Sequence, residues 1–240
     1  MNGEHRKDPE MRKDVIASEY HLAVSVDCVI FGYDEEGLKV LLIKSDTPEY
    51  EGKLSLPGDL VHPTENLKNA ASRVLEYRTG LMDVYMEQVM AFSEVGRHPA
   101  GRVITIAYYS LVEIDEYAAQ KHSKMDAEWY DVKTIKELAF DHKAILDNCL
   151  TRLKLRLREK PIGFELLPEK FTLKQTQHLY EVVLDIKLDK RNFRRKLKSL
   201  NVLEDCGERQ KAVNHRPARL YHFNMEKYDK KKKKGMFMNF

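Results

Sequence analysis

Few side chains between Leu56 and Leu81 could bind a divalent ion, although the segment carries several charges. Mg²⁺ is a hard cation that prefers several oxygen ligands, and metal-assisted hydrolysis uses its charge to stabilise the transition state. Glu65 lies in a predicted loop and Glu76 on the predicted helix that follows, where Arg78 adds a positive charge. Like charges about 4 Å apart cost on the order of 4 kcal/mol at an effective dielectric near 20. We therefore expect no catalytic metal here.

A second group of charged residues follows Asp189, at which we predict the N-cap of a helix that ends at Leu200. Phe193 and Leu197 are four residues apart and are expected to anchor one face of this helix in a core. Long hydrogen-bond donors occupy the other faces, as suits a helix that enters the major groove and contacts base edges and phosphates. We expect Arg191, Asn192 and Arg195 to read bases, and Lys190, Arg194 and Lys198 to contact phosphates. The alternative is an ordinary basic surface helix.

Charge is unevenly distributed along the 240 residues, whose formal net charge is +3. From Pro161 onward there are 19 Lys and Arg against 10 Asp and Glu, so the preceding part is acidic overall. This asymmetry favours a C-terminal part that meets a polyanion, although a solvated charged face would show the same composition. The run Lys230–Lys234 fits a solvated tail as well as a non-specific DNA contact.

Cysteine usage and hydropathy predict a cytoplasmic protein. Cys28, Cys149 and Cys206 are odd in number, far apart and without a CxxC pair, which argues against a disulfide framework and against a zinc site. No apolar run approaches the roughly 18 residues of a membrane span. The charged N-terminus lacks the apolar core of a signal peptide.

Hydrophobic periodicity predicts an α+β chain of two units. Strands are expected over 21–33, 38–44, 54–58, 84–93, 102–114 and 128–131, with helices over 66–79 and 141–158. A stretch with Pro and Gly, 158–163, then separates a second unit with helices over 172–184 and 189–200 and short strands over 202–205 and 218–224. Thr172 and Gln175 have the spacing of a capping box. We expect domains at 21–158 and 159–228, with flexible tails at 1–20 and 229–240.

The segment 56–81 resembles a Nudix box, in which G, five residues, E and seven residues precede R-E-U-x-E-E-x-G-U, where U is a bulky aliphatic residue. The matching residues are Pro57, Glu65, Ala70, Ala71, Arg73, Leu75, Gly80 and Leu81. The resemblance implies an α/β/α sandwich. It departs from the family at Asp59, which replaces the box Gly, and at Val74, Tyr77 and Arg78, which replace metal-binding Glu. The resemblance thus implies a domain without catalytic residues, in which Glu65 and Arg73 pair and brace the loop.

The C-terminal part resembles the winged helix-turn-helix of Nudix-related regulators of the NrtR type, and among them the arabinose-responsive AraR-like branch of Bacteroidetes. The matching stretches are 161–164, 167–168, 171–173, 179–181, 189–196 and 216–223, with upstream strands at 84–89 and 103–109. The resemblance covers about residues 20–228. It implies a homodimer that binds double-stranded DNA at a palindromic operator. Wing contacts are expected from Arg216 and Arg219, together with Lys211 and His215.

The expected function is a transcription regulator whose Nudix domain senses a small effector and uses no cofactor. Because the metal ligands are absent, we favour a sugar such as L-arabinose or another pentose, with ADP-ribose as the alternative. Candidate effector-binding residues are Glu65, Glu94, Arg97, Arg102 and Tyr108. Two further alternatives are an active Nudix pyrophosphohydrolase with an accessory domain and a module that binds partners other than DNA. Whether the effector releases or recruits DNA stays open.

Overall fold

The computed structural model describes residues 22–115, 117, 127–211 and 216–232 of the chain. In the first part, the strands are β1 (Ala23–Tyr33), β2 (Leu38–Lys44), β3 (Leu54–Ser55), β4 (Gly58–Leu60), β5 (Tyr85–Phe92), β6 (Val103–Glu113) and β7 (Glu128–Asp131). This part also contains the helices α1 (Leu67–Thr79) and α2 (His142–Glu159). The second part contains α3 (Leu173–Leu184), α4 (Lys190–Leu200), β8 (Leu203–Arg209), β9 (Arg219–Phe223) and α5 (Met225–Lys232).

Strand β1 is the centre of the first part. It pairs in antiparallel fashion with β2 and β4 and in parallel with β6, while β5 pairs with β6 and both β3 and β7 pair with β2. Successive side chains of a strand point to opposite faces of its sheet. Val26, Cys28 and Ile30 therefore pack with α1, whereas Val29 and Phe31 pack on the face that α2 covers. This arrangement is the predicted α/β/α sandwich.

Helix α1 begins and ends where the sequence predicts. Asn66 is its N-cap, and its side chain accepts a hydrogen bond from the Asn69 amide. Gly80 ends the helix in the left-handed region at φ 79°, and its amide donates to the Glu76 carbonyl at 2.8 Å. Glycine adopts this conformation at little cost, which explains the stop at this position.

The second part is a winged helix. The predicted capping box of α3 is confirmed, since the Thr172 side chain accepts from the Gln175 amide and the Gln175 side chain accepts from the Thr172 amide. Strands β8 and β9 form an antiparallel pair, and Phe171 bridges to Tyr221 of β9. The apolar face of α4 is buried, with Phe193 4% and Leu197 0% exposed, as predicted.

The junction between the two parts is buried rather than an open linker. After α2, residues Pro161–Leu166 form a 3₁₀ helix, most of which is buried. A Cβ atom at Gly163 would lie 2.6 Å from a methyl carbon of Leu157, so glycine permits this close approach. Apolar residues of both parts form one continuous cluster that includes Phe31, Leu153 and Leu179. The pattern break at 158–163 thus marks a point at which two parts with a shared core meet.

The chain ends differ from expectation or lie outside the described residues. Helix α5 continues to Lys232 and Tyr228 is buried, although we expected a flexible tail from residue 229. The predicted N-terminal tail, His215 of the wing, and Lys233 and Lys234 of the basic run lie outside the described residues. In the part of the chain that is described, no helix has the length and apolarity needed to cross a membrane.

Candidate functional site

A polar cleft opens on the Nudix part, where β1 and β4 meet the start of α2 and the loop between β5 and β6. Asp27, Arg97 and His142 lie at its base, and Arg78 and Asp46 line its wall. Asp27 is 5% exposed and His142 is also 5% exposed, so both groups are held away from bulk water. Buried ionisable groups require polar partners, and the contacts described below supply them.

Arg97 is the most constrained cation of the cleft. Its side chain is 4% exposed. Its Nε and Nη2 donate to both carboxylate oxygens of Asp141 at 2.8 and 2.5 Å, and its Nη1 donates to the Thr105 hydroxyl at 2.5 Å. Asp27 Oδ2 lies 4.0 Å from Nη2. Arg97 therefore gives the cleft a fixed positive charge, while most of its donors are already used.

The surroundings of His142 favour its neutral ring. Its Nδ1 accepts from the Leu56 amide at 3.1 Å and also lies 3.1 Å from the Ser55 hydroxyl, so in the neutral tautomer its proton is on Nε2. Nε2 lies 3.5 Å from Asp27 Oδ2. Burial lowers the pKa of His142 and raises that of Asp27, because desolvation disfavours the charged form of each. Burial therefore disfavours both the imidazolium of His142 and the carboxylate of Asp27.

Gly58 permits the position of the Asp27 carboxylate. It pairs directly with Asp27 between β4 and β1, and a Cβ atom at Gly58 would overlap with Asp27 Oδ1. A side chain at this position would displace the buried carboxylate from the cleft.

The Nudix-box residues Glu65 and Arg73 form the predicted pair. Arg73 donates to Glu65 through Nη2 at 2.7 Å and Nε at 3.2 Å, to Asp59 at 3.0 Å and to the Leu60 carbonyl at 2.8 Å. The Glu65 carboxylate also accepts from the His62 amide at 2.8 Å. Hydrogen bonds from Arg73 and His62 lower the pKa of Glu65 to about 2. Asp59, which replaces the box Gly, therefore belongs to the brace that holds this loop against α1.

Arg78 reaches the cleft from the last turn of α1. Its Nη1 donates to Asp46 Oδ2 at 3.1 Å, and its side chain is 14% exposed. Its Nε is buried and has no hydrogen-bond partner among the described residues. Over the same residues, no group of three or more His, Cys, Asp or Glu side chains is arranged to hold a metal ion.

Only one of the five predicted effector residues lines the cleft directly, and that residue is Arg97. Glu65 is linked to the cleft wall through Arg73 and Asp59. Arg102 donates to the carbonyls of Ser93 and Glu94, and the Glu94 side chain is exposed in that loop. Tyr108 is on the opposite face of the sheet, where it packs with the α1 cluster and donates to Gln88 at 3.1 Å. The structure thus gives Glu94, Arg102 and Tyr108 no place in this cleft.

Sequence reasoning missed Asp27, Thr105 and His142. A carboxylate inside the apolar run His21–Tyr33 was an available signal, because an unpaired charge in a buried strand is costly. Thr105 and His142 carry no comparable signal, since their role depends on the pairing of β6 with β1 and on where α2 begins.

The candidate DNA-contacting surface is the outer side of α4. Lys190, Arg191, Asn192, Arg195 and Lys198 are exposed, while Arg194 is partly buried and its Nε has no hydrogen-bond partner among the described residues. Arg195 donates to the Asn192 side chain at 2.9 Å, so these two predicted base-reading residues are preorganised together. In the wing, Arg216 is exposed and Arg219 forms an ion pair with Asp205 at 2.8 Å.

The turn before α4 is held by side chains of α3. Glu181 accepts from the Leu188 amide at 2.8 Å and from the Gln177 side chain at 3.2 Å. Gln177 also donates to the Leu188 carbonyl at 3.0 Å. Asp185 takes the left-handed conformation at φ 55° that ends α3. These contacts fix the angle between α3 and α4. That angle determines which side chains of α4 face away from the protein.

Comparison with known families matches residues 21–149 to the NUDIX domain and residues 163–223 to the NrtR DNA-binding winged helix domain. The ADPR responsive transcriptional repressor NtrR of Acinetobacter baylyi is 33% identical over 210 residues, which cover 86% of this chain and 84% of that protein. The ADP-ribose pyrophosphatase of Methanocaldococcus jannaschii is 34% identical over 126 residues, which cover 52% of this chain and 72% of that protein.

Among solved structures, Shewanella oneidensis NrtR complexed with a 27mer DNA superposes with a TM-score of 0.76 at 28% identity, covering 86% of this chain and 95% of that chain. The fold and the cleft therefore define a Nudix domain joined to a winged helix. The chain belongs to the NrtR family of Nudix and winged-helix transcription regulators.

Proposed function

We propose that this protein is a homodimeric, ADP-ribose-responsive transcription repressor that binds a palindromic operator through α4. The main support for the proposal is that one side of α4 is cationic and exposed. The apolar side of the same helix packs in a core shared with the Nudix domain. A helix with this distribution suits the major groove, where Arg and Asn read base edges and Lys neutralises phosphates. The Acinetobacter baylyi relative is itself named as a repressor.

ADP-ribose is favoured over a sugar by the two guanidinium groups of the cleft, which is also lined by the carboxyl groups of Asp27, Asp46 and Asp59. Arg78 and Arg97 both line it, and guanidinium groups suit a diphosphate better than an uncharged pentose. Both curated relatives described above are named for ADP-ribose. We therefore replace L-arabinose with ADP-ribose as the first candidate effector and keep the pentose as an arm of the experiment.

The chain is proposed to bind the effector without cleaving it. Hydrolysis in the Nudix family uses carboxylates that hold divalent ions, and this chain has Val74, Tyr77 and Arg78 at three of those positions. Glu65 is engaged by Arg73 and by the His62 amide. The similarity to a pyrophosphatase extends over 126 residues, about the length of the Nudix match, so it fits a domain that kept the cleft and its ligand.

Coupling between effector and DNA is proposed to pass through the shared core. Because the junction Pro161–Leu166 is buried, it allows little independent movement of the two domains. A shift of the Nudix domain should therefore move α4 as well. In a two-fold dimer, the distance between the two α4 helices must match the spacing of the operator half-sites. An effector that favours one domain arrangement must then change operator affinity by linkage.

The test is to select duplexes from a random 27-base-pair pool with the full chain and then measure their binding by fluorescence anisotropy. We expect a palindromic consensus, steep salt dependence, and release of that duplex by ADP-ribose but not by L-arabinose. ADP-ribose should stay intact during prolonged incubation with the protein and Mg²⁺. The proposal is wrong if no salt-sensitive duplex binding occurs, if only the sugar changes operator affinity, or if Glu65-dependent cleavage of ADP-ribose is measured.

A further inference from the structure

We infer that the Arg78 guanidinium replaces the divalent ion of the Nudix family, so that the cleft binds a nucleoside diphosphate without metal. This inference deepens the proposed function and rests on it. Arg78 is at a position where the family pattern has a metal-binding Glu, so the residue reverses the sign of the charge at one point of the cleft.

The residues of the box do not fit a metal ion. Val74 is 0% exposed within the core, and Tyr77 is 68% exposed. Glu65, the family acid that remains, accepts from His62 and Arg73 on one oxygen and from Arg73 on the other. A dication at this site would have to break that brace and would lie beside a guanidinium, which it repels.

Arg78 is the cleft cation whose donors are still available to a ligand. Arg97 uses its donors on Asp141 and Thr105. Arg78 donates to one described acceptor, Asp46, and its guanidinium lies 5.7 Å from the centre of the Tyr77 ring, while its buried Nε has no hydrogen-bond partner among the described residues. A buried donor without a partner costs free energy, and a ligand oxygen would recover it. Arginine offers a planar fork of donors that matches phosphate oxygens in a bidentate contact.

Asp46 accepts the Arg78 hydrogen bond that a phosphate oxygen of the ligand would otherwise accept. Its side chain is 72% exposed, so it can leave Arg78 for water at little cost when a phosphate enters. The ion pair keeps the guanidinium turned toward the cleft until then. Because a carboxylate competes with the phosphate for the same donors, removing the Asp46 charge should strengthen binding.

The experiment measures ADP-ribose and ADP binding to the full chain by titration calorimetry, once with EDTA and once with excess Mg²⁺. We expect the wild-type dissociation constant for ADP-ribose to agree between the two media within about twofold. Arg78→Glu should weaken metal-free binding by about tenfold or more, as expected for a lost hydrogen bond to a charged group. Asp46→Asn should tighten binding. Lys68→Glu, a charge reversal at an exposed position of the same helix outside the cleft, should leave the constant unchanged.

Arg78→Lys provides a second variant if Arg78→Glu fails to fold, because it keeps the charge and loses the bidentate geometry. Its binding should fall between those of the wild type and Arg78→Glu. Binding of ADP-ribose that requires Mg²⁺ and disappears in EDTA would overturn the inference but leave the proposed function in place. Unchanged metal-free binding in both Arg78 variants would overturn it as well. Absence of ADP-ribose binding in either medium would instead remove the proposed function.

Discussion

The Tyr33 hydroxyl and Nδ1 of His178 lie 2.5 Å apart and join the end of β1 in the Nudix domain to α3 of the winged helix. Burial raises the pKa of Tyr33 well above its usual value, so the phenol stays protonated and can donate. His178 belongs to the helix that positions the turn before α4. This contact therefore connects the sheet that lines the cleft to the element that orients the DNA-contacting helix.

Removing the Tyr33–His178 hydrogen bond should cost stability and weaken the response to the effector. Tyr33→Phe and His178→Ala are each expected to lower the free energy of unfolding, with a coupling energy between them of about 0.5–1.5 kcal/mol. A double-mutant cycle from urea unfolding measures it. Strictly additive effects of the two substitutions would mean that the contact does not stabilise the native state. In Tyr33→Phe, ADP-ribose should change operator affinity less than in the wild type.

Residues of α4 should separate into two groups when binding is measured as a function of salt. Arg191→Ala and Arg195→Ala should each cost about 1–3 kcal/mol on the selected operator and much less on random duplex. Lys198→Ala should weaken both duplexes alike and reduce the slope of log affinity against log salt by about 1. Lys68→Ala removes an exposed charge from the Nudix domain and serves as control. If Arg191→Ala and Lys198→Ala behave alike, the division into base and phosphate contacts is wrong.

Local features of the fold were predictable because their causes are local. The capping box at Thr172 and Gln175, the stop at Gly80 and the buried pair Phe193 and Leu197 each depend on residues within a few positions of one another. Helix caps and helical periodicity are read directly from such spacings. These elements appear in the structure within one or two residues of the predicted bounds.

The cleft was less predictable because its residues meet only through long-range pairing. Asp27 meets Arg97 and His142 because β1 runs parallel to β6 and α2 begins behind them. Strand β6 is almost continuously apolar, so its pattern cannot tell which residues face α1. For this reason the sequence could not show that Tyr108 lies on the face that packs with α1, or that Thr105 lies on the face that lines the cleft.

The Glu65–Arg73 brace should make stability depend on acidic pH in a defined direction. The folded-state pKa of Glu65 is lowered from 4.5 to about 2, so its contribution is fully present above about pH 4.5 and is lost as pH falls toward 2. Glu65→Gln should therefore be less stable than the wild type at pH 7. The difference in stability between the two proteins should shrink as the pH falls from about 4.5 toward 2. Glu76→Gln, at an exposed position of α1, is the control. Melting curves that differ equally at pH 7 and pH 3 would contradict this role.

His142 should make the wild type lose stability as pH falls below about 6.5. Burial lowers the pKa of His142 in the folded state, so only the unfolded chain takes up this proton near its ordinary value of 6.5, with a slope of at most about 1.4 kcal/mol per pH unit. Asp27 faces the same ring, and its raised pKa contributes a pH dependence of the opposite sign, so His142 is tested by the difference in pH slope between the wild type and His142→Asn. In His142→Asn, the side-chain amide oxygen can accept from the Leu56 amide in place of Nδ1. The variant should be less stable overall, but the loss of stability that His142 causes below about pH 6.5 should disappear. Denaturant unfolding between pH 7.5 and 5.5 measures it, with the exposed His62→Asn as control. An unchanged pH slope in His142→Asn would show that His142 is charged in the folded protein or that another group controls this range.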